Sequence, residues 1–183
     1  MKRIVVLVAA ALITATVTAT TSTNARGSVD THARVLCGVE RWTVKTLQDR
    51  PSLFPAHTVT LRYLVTRPAP ASLPVTRLPF ERHIFRVVAA VVLVRPEDDG
   101  DHHLVLRDLN GRTMIAETPM LACTVLATPL RRMQMQTARN AVRLCARASV
   151  TGVAFFDFDH GQIGVAPNAI ELHPVLRFRC LSG

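Results

Sequence analysis

The chain has 183 residues, 22 of them Lys or Arg against 13 Asp or Glu, for a formal net charge of +9. None of its four cysteines is spaced as CxxC and no Gly-x-Ser-x-Gly occurs, which excludes a dithiol redox motif, a zinc knuckle and the nucleophile elbow of serine hydrolases. With aromatic residues at 5%, most of them needed in the core, a platform of base-stacking side chains is at best sparse.

Lys2 and Arg3 precede an unbroken apolar run from Ile4 to Ile13, followed by a Thr/Ala-rich stretch with small residues at Val17, Ala19, Thr23 and Ala25. That order predicts a cleavable secretory signal over residues 1–25, cut after Ala19 or Ala25. The apolar run is about half the roughly 20 residues a membrane-spanning helix requires, so no membrane span is expected after cleavage. Loss of Lys2 and Arg3, with no acidic residue beside them, takes the charge from +9 to +7. The product is then secreted or held in the periplasm or cell envelope.

Residues 26–77 read as an N-terminal extension ending in a Pro-rich linker, and residues 78–183 as the folded domain. In the extension, Val39, Trp42, Val44 and Leu47 have mixed spacing, and a short helix started by Thr58 runs to Val65. Trp42, the only tryptophan, is expected to anchor packing. Residues 81–95 alternate polar and apolar and then become apolar on both faces, as a long strand does on entering a core. The turn PEDDGD and the alternating HHLVLRD predict a second strand, and Asn110-Gly111 a two-residue hairpin into a third, RTMIAET. Pro129 to Arg147 is read as a helix with Leu130, Met133, Ala138, Ala141, Val142 and Cys145 on its core face. Val150–Phe158 and Ile170–Cys180 complete five strands around the Gly-rich loop DHGQIGVAPN. The expected class is mainly β: a five-stranded OB-like barrel with one helix between strands three and four, the alternative being another small α+β sheet.

The even cysteine count in an exported chain predicts two disulfides among Cys37, Cys123, Cys145 and Cys180. Three pairings are open; the favoured one joins Cys123 to Cys145 across the helix and Cys37 to Cys180 across the chain ends.

Two clusters carry possible chemistry. Glu97, Asp98, Asp99, Asp101, His102 and His103 crowd the first turn, with Glu117 at the end of strand three; such carboxylates either hold a hard cation or form a solvated turn, and no EF-hand spacing is present. Asp157, Asp159, His160, Gln162, Asn168, Glu171 and His173 surround the last loop. Glu171 and His173 share a strand face, and with His160 they make a two-His, one-carboxylate set for a transition metal, or else bond to backbone.

Asp99-Gly100-Asp101, Arg112 and Glu117-Thr118-Pro119 resemble the front half of the thermonuclease family, calcium-dependent phosphodiesterases on an OB barrel. The resemblance implies Asp101 and Glu117 as calcium ligands and Arg112 as the holder of the scissile phosphate. Met120 stands where that family has its catalytic Glu, and Glu117 where it has Asp. The segments CGVERW (37–42), DDGDHHLVL (98–106), MIAE (114–117) and HGQIGVAPNAIELHPVL (160–176) resemble small exported bacterial proteins, a likeness that brings no activity with it. The functional expectation is a binding module for an anionic polymer, either nucleic acid or a cell-surface glycan. Arg86, Arg107, Arg177 and Arg179, with Phe85, Phe155, Phe156 and Phe158, are the candidate contacts. The alternatives are a calcium-dependent phosphodiesterase and a structural envelope protein.

Overall fold

Strand β2 (Ile84–Pro96) is long enough to pair on both edges, and that property closes the sheet. The computed structural model describes residues 37–183; the expected signal segment lies outside the described residues. β2 pairs antiparallel with β3 (His102–Arg107) through its second half and with β5 (Cys145–Phe156) through its first half. A register shift between Val91 and Leu93 lies where it passes from one neighbour to the other, the local bend a bulge provides. β3 pairs with β4 (Thr113–Thr118), β4 runs parallel to β6 (Ile170–Ser182), and β6 returns antiparallel to β5. The five strands form a closed barrel of the OB-like kind, as expected. A two-residue strand β1 (His57–Thr58) adds to the outside of β2.

Alternation fills the barrel. Phe85, Val87 and Ala89 of β2 meet Leu104 and Leu106 of β3, Met114 and Ala116 of β4, Val150 and Ala154 of β5, and Ile170 and Leu172 of β6 in one buried cluster. Helix α3 (Pro129–Ala141) lies between β4 and β5 in the chain, with Thr128 accepting from the Arg131 amide as its cap. Its inward residues are Met135 and Ala138, whereas Leu130 and Met133, expected inside, are exposed. The helix also ends earlier than expected: Cys145 starts β5. A stripe read over 19 residues extended past the true end of the helix, and the face drawn through Leu130 and Met133 was rotated from the buried one.

The hairpin between β3 and β4 differs as well. Arg107 pairs with Thr113, so the loop comprises five residues, 108–112, and only Gly111 adopts a positive φ. The Asp108 side chain accepts from the amides of Asn110 and Arg112 and thereby sets the longer turn.

Before the barrel come α1 (Trp42–Lys45) and α2 (Leu61–Val65), the latter capped by Thr60 rather than Thr58. The two disulfides join Cys37 to Cys123 and Cys145 to Cys180. The expected pairing is thus corrected: β5 begins beside the end of β6, where Ala148 faces Cys180, and Cys123 lies in the 3-10 turn Leu121–Thr124 against the N-terminal segment. Among the described residues, no helix is long and apolar enough to cross a membrane.

Candidate functional site

The inward residues of β3, β4 and β6 determine what lies outward. With Leu104, Met114, Ala116, Ile170 and Leu172 inside, His103, Glu117, Glu171 and His173 project from the outer wall. His103 pairs with Glu117, and Ile115 pairs with Glu171. Two residues further along the same parallel pair, His173 stands beside Glu117. A row of His103, Glu117 and His173 therefore crosses three strands on one face.

Such a row would ordinarily be solvated. Here it is buried, with His103 and His173 at 0% exposure, Asp101 at 0%, Glu171 at 3% and Glu117 at 4%, because the N-terminal segment lies over it. Arg41 fixes that segment. Its Nη1 and Nη2 donate to the two carboxylate oxygens of Glu81, each at 2.7 Å, and its remaining donors reach the carbonyls of Pro74, Thr76 and Phe156. Its guanidinium also stacks 4.8 Å from the Phe155 ring centre. One helical turn on, Lys45 extends into the cluster, with Nζ 2.9 Å from Asp157 and 3.4 Å from Glu117.

Each histidine has the same arrangement. His173 Nδ1 donates to the Lys45 carbonyl at 2.8 Å, and its Nε2 is 2.8 Å from Asp101 Oδ2 and 3.4 Å from Glu117 Oε2. His103 Nε2 donates to the Ile163 carbonyl at 2.9 Å, and its Nδ1 is 3.2 Å from Glu117 Oε1 and 3.4 Å from Glu97 Oε1. A backbone carbonyl thus fixes one ring nitrogen, while the other faces carboxylates. This is the orientation that metal-bound imidazoles take. Two sets of donor atoms, Asp101/Glu117/His173 and Glu97/His103/Glu117, each lie within 4.8 Å of one another and share Glu117. Asp101 Oδ1, Glu117 Oε2 and Glu171 Oε2 are buried without a hydrogen-bond partner.

The electrostatics follow from this crowding. Burial raises the Glu117 carboxyl, but the hydrogen bond from His103 and the charges of Lys45 and His173 outweigh it and hold the pKa at about 2. Glu171 goes the other way: burial, then the charges of Glu117 and Asp157, push it well above the usual carboxylate range. Burial opposes the Lys45 ammonium, yet Glu117, Glu171 and Asp157 together raise its pKa. Burial likewise opposes the His103 imidazolium, and the hydrogen bond to Glu117 prevails and raises it. Glu97 is raised by burial and by the charge of Glu117, and Asp99 by burial and by Asp101.

The cluster opens to solvent through a cleft of about 320 Å³ whose walls include Trp42, Lys45, Glu97, Asp99, Glu117 and Asp157. On a chain of net charge +9, the charged lining of this cleft is mostly acidic.

The two residue sets expected from sequence turn out to be neighbours. Asp101 and Glu117 of the first set meet His173 directly, and Glu171 of the second lies close enough for Glu117 to shift its pKa. His160 stands at the cleft mouth, paired at 2.8 Å with Glu40 and half-exposed, and is not among the buried donors. Arg112 is at the opposite end of the hairpin, its Nη1 3.2 Å from Asp108; five residues of strand separate it from Glu117 by ~17 Å. Of the stacking candidates, Phe85 and Phe156 lie in the barrel core, Phe155 is buried beneath Arg41 and Lys45 of the N-terminal segment, and only Phe158 is exposed. Lys45, Arg41 and Glu81 escaped sequence reasoning. The i, i+4 spacing of Arg41 and Lys45 was the available signal, but no local pattern indicates which wall that turn covers. Comparison with protein-family models gives no match, and comparison with curated proteins gives none either.

Proposed function

We propose that the cleft binds a divalent cation through Asp101, Glu117 and His173 and that the protein is an exported, metal-dependent hydrolase of phosphodiesters. The observation that carries the reading is His173: its Nδ1–H is committed to the Lys45 carbonyl, and its Nε2 points at a buried carboxylate pair in which Asp101 Oδ1 accepts no hydrogen bond and Glu117 Oε2 has only the 3.4 Å ion-pair contacts of Lys45 and His173. Unpartnered buried oxygens are costly, and a cation among them offsets that cost. The donors fit the group. Two carboxylates and an imidazole suit manganese or zinc, whereas calcium, expected from the thermonuclease resemblance, prefers six to eight oxygens.

A bound cation supplies Lewis-acid charge to the phosphoryl group. The chain supplies the rest. Glu97, at the mouth with a raised pKa, stands near the cluster as a carboxylate that can accept the proton of an attacking water, the role that Met120 cannot fill. Lys45 places positive charge on the cleft floor, where a phosphate oxygen entering from the mouth meets it. Direct binding of a polyanion in this cleft, without a cation, is disfavoured by its carboxylates.

Trp42, the only tryptophan, lines the cleft and serves as the reporter. Manganese titration should quench its fluorescence. Asp101→Asn and His173→Gln should weaken binding by ~100-fold or more, since even outer-shell partners of a metal are worth 10 to 100-fold. Hydrolysis of bis(p-nitrophenyl) phosphate should require the metal and be lost in Asp101→Asn. Binding of neither manganese nor zinc to the oxidised protein would refute the reading.

A further inference from the structure

A second site lies at the other end of β5 and β6. On β2, β5 and β6 the inward residues are Val87, Ala89, Ala148, Val150 and Phe178, so Arg86, Val88, Ser149, Thr151, Arg177 and Arg179 project outward. The register sets them in two cross-strand rows. Arg86 pairs with Thr151, which pairs with Arg177; Val88 pairs with Ser149, which pairs with Arg179. The middle strand thus presents the Ser149 hydroxyl, with Thr151 buried beside it, flanked on one side by Arg86 and on the other by Arg177 and Arg179. Adjacent rows are ~7 Å apart, and strands separated by one neighbour lie ~10 Å apart, a span that long guanidinium side chains can close over. Arg86, Val88, Ser149, Arg177, Arg179 and Leu181 line one groove of about 260 Å³.

The charges in this groove are uncompensated. Among the described residues, Arg86, Arg177 and Arg179 have no ion pair, unlike Arg41, Arg77, Arg95 and Arg112. Like charges close together on a sheet face repel, so an anion seated between them removes a penalty as well as adding contacts. Guanidinium groups match the oxygens of phosphate in pairs, and the Ser149 hydroxyl can donate to an oxygen that remains. Among the described residues no aromatic side chain lines the groove, so its recognition chemistry is that of guanidinium and hydroxyl groups toward phosphate.

We propose that this groove is a phosphate-binding site, with Arg86, Arg177 and Arg179 as its cationic walls and Ser149 in its floor. It does not depend on the metal reading of the acidic cleft. The phosphate is borne either by a polymer backbone or by a small molecule, and the same groups recognise both.

The test uses the full, oxidised chain in chelator, so that the acidic cleft contributes nothing. A fluorescein-labelled single-stranded oligonucleotide is followed by anisotropy over a salt series, and inorganic phosphate by thermal shift. Three phosphate contacts on a single strand give a slope of log K against log salt of about −2. Arg177→Ala/Arg179→Ala should weaken oligonucleotide binding at least ~10-fold and reduce that slope by more than half, while Arg50→Ala, exposed in the N-terminal segment and bonded to the Leu126 carbonyl, leaves both nearly unchanged. A stabilising shift with inorganic phosphate but no oligonucleotide binding, lost in the same double variant, would assign the site to a small phosphate. Arg177→Lys/Arg179→Lys keeps the charge and the fold but removes the forked donors, and should bind more weakly than wild type. Binding of neither probe, or binding that survives both double variants and Arg86→Ala, would overturn the proposal.

Discussion

Replacing Arg41 by Met leaves the Glu81 carboxylate buried without its counter-charge. The wild-type pair is enclosed, with side-chain exposures of 2% and 0%, and both partners are saturated: the guanidinium uses all its donors, and Glu81 also accepts from the amides of Leu78 and Phe156. Removing one member of such a pair costs about 3–5 kcal/mol, most of it the penalty on the charge left behind. For a chain of this size that corresponds to a fall in Tm of ~6–20 °C. The assay is urea unfolding of the oxidised protein, run on Arg41→Met, Glu81→Gln and the double variant. Glu81→Gln in the Arg41→Met background should recover part of the loss, giving a coupling of at least ~2 kcal/mol. Because Arg41 also holds α1 over the wall that carries His173, Arg41→Met should weaken manganese quenching of Trp42 even at temperatures where the barrel stays folded. A cost below ~1 kcal/mol with additive single variants would mean that the pair does not hold the N-terminal segment in place, and the reasoning would fail.

Glu171 gives a pH signature of known sign. Its folded pKa is raised well above the ordinary 4.5 by burial and by Glu117 and Asp157, so the folded state keeps a proton that the unfolded chain releases, and stability drains away as pH rises above 4.5. Glu171→Gln has no proton to lose, so its advantage over wild type should be absent at pH 4 and grow with pH by at most ~1.4 kcal/mol per unit; equal gaps at pH 4 and pH 8 would refute it. The Cys37–Cys123 bridge closes 86 residues, for which loop entropy gives about 4.5 kcal/mol. Cys37→Ser/Cys123→Ser should lose 2–5 kcal/mol in urea unfolding and expose Trp42, read as a red shift of its emission, and an unchanged midpoint would contradict that.

The barrel was legible because its signals are local. Alternation over 84–90, 102–107 and 170–173, the turn residues Gly100 and Gly111, and Pro129 at the start of the helix each act within a few residues, and together they permit few arrangements. Asp101 and Glu117 were found the same way, as acids flanking strands. What the sequence left open involves residues far apart in the chain. Cys37 meets Cys123, Arg41 meets Glu81, and Lys45 meets Asp157, none of them linked by a period or a motif. Such contacts depend on which outer wall the N-terminal segment covers, and that is decided by the sum of burial and pairing over the closed barrel. The same holds for the arginines: Arg86 lies on one strand and Arg177 and Arg179 on another, scattered along the chain and gathered only by the register of β2, β5 and β6. The sequence by itself determined the strands, the helix and most of the chemically active side chains. Only the tertiary structure decided which of those side chains share a cleft, because proximity across a closed sheet is a property of strand order and register rather than of any local run of residues.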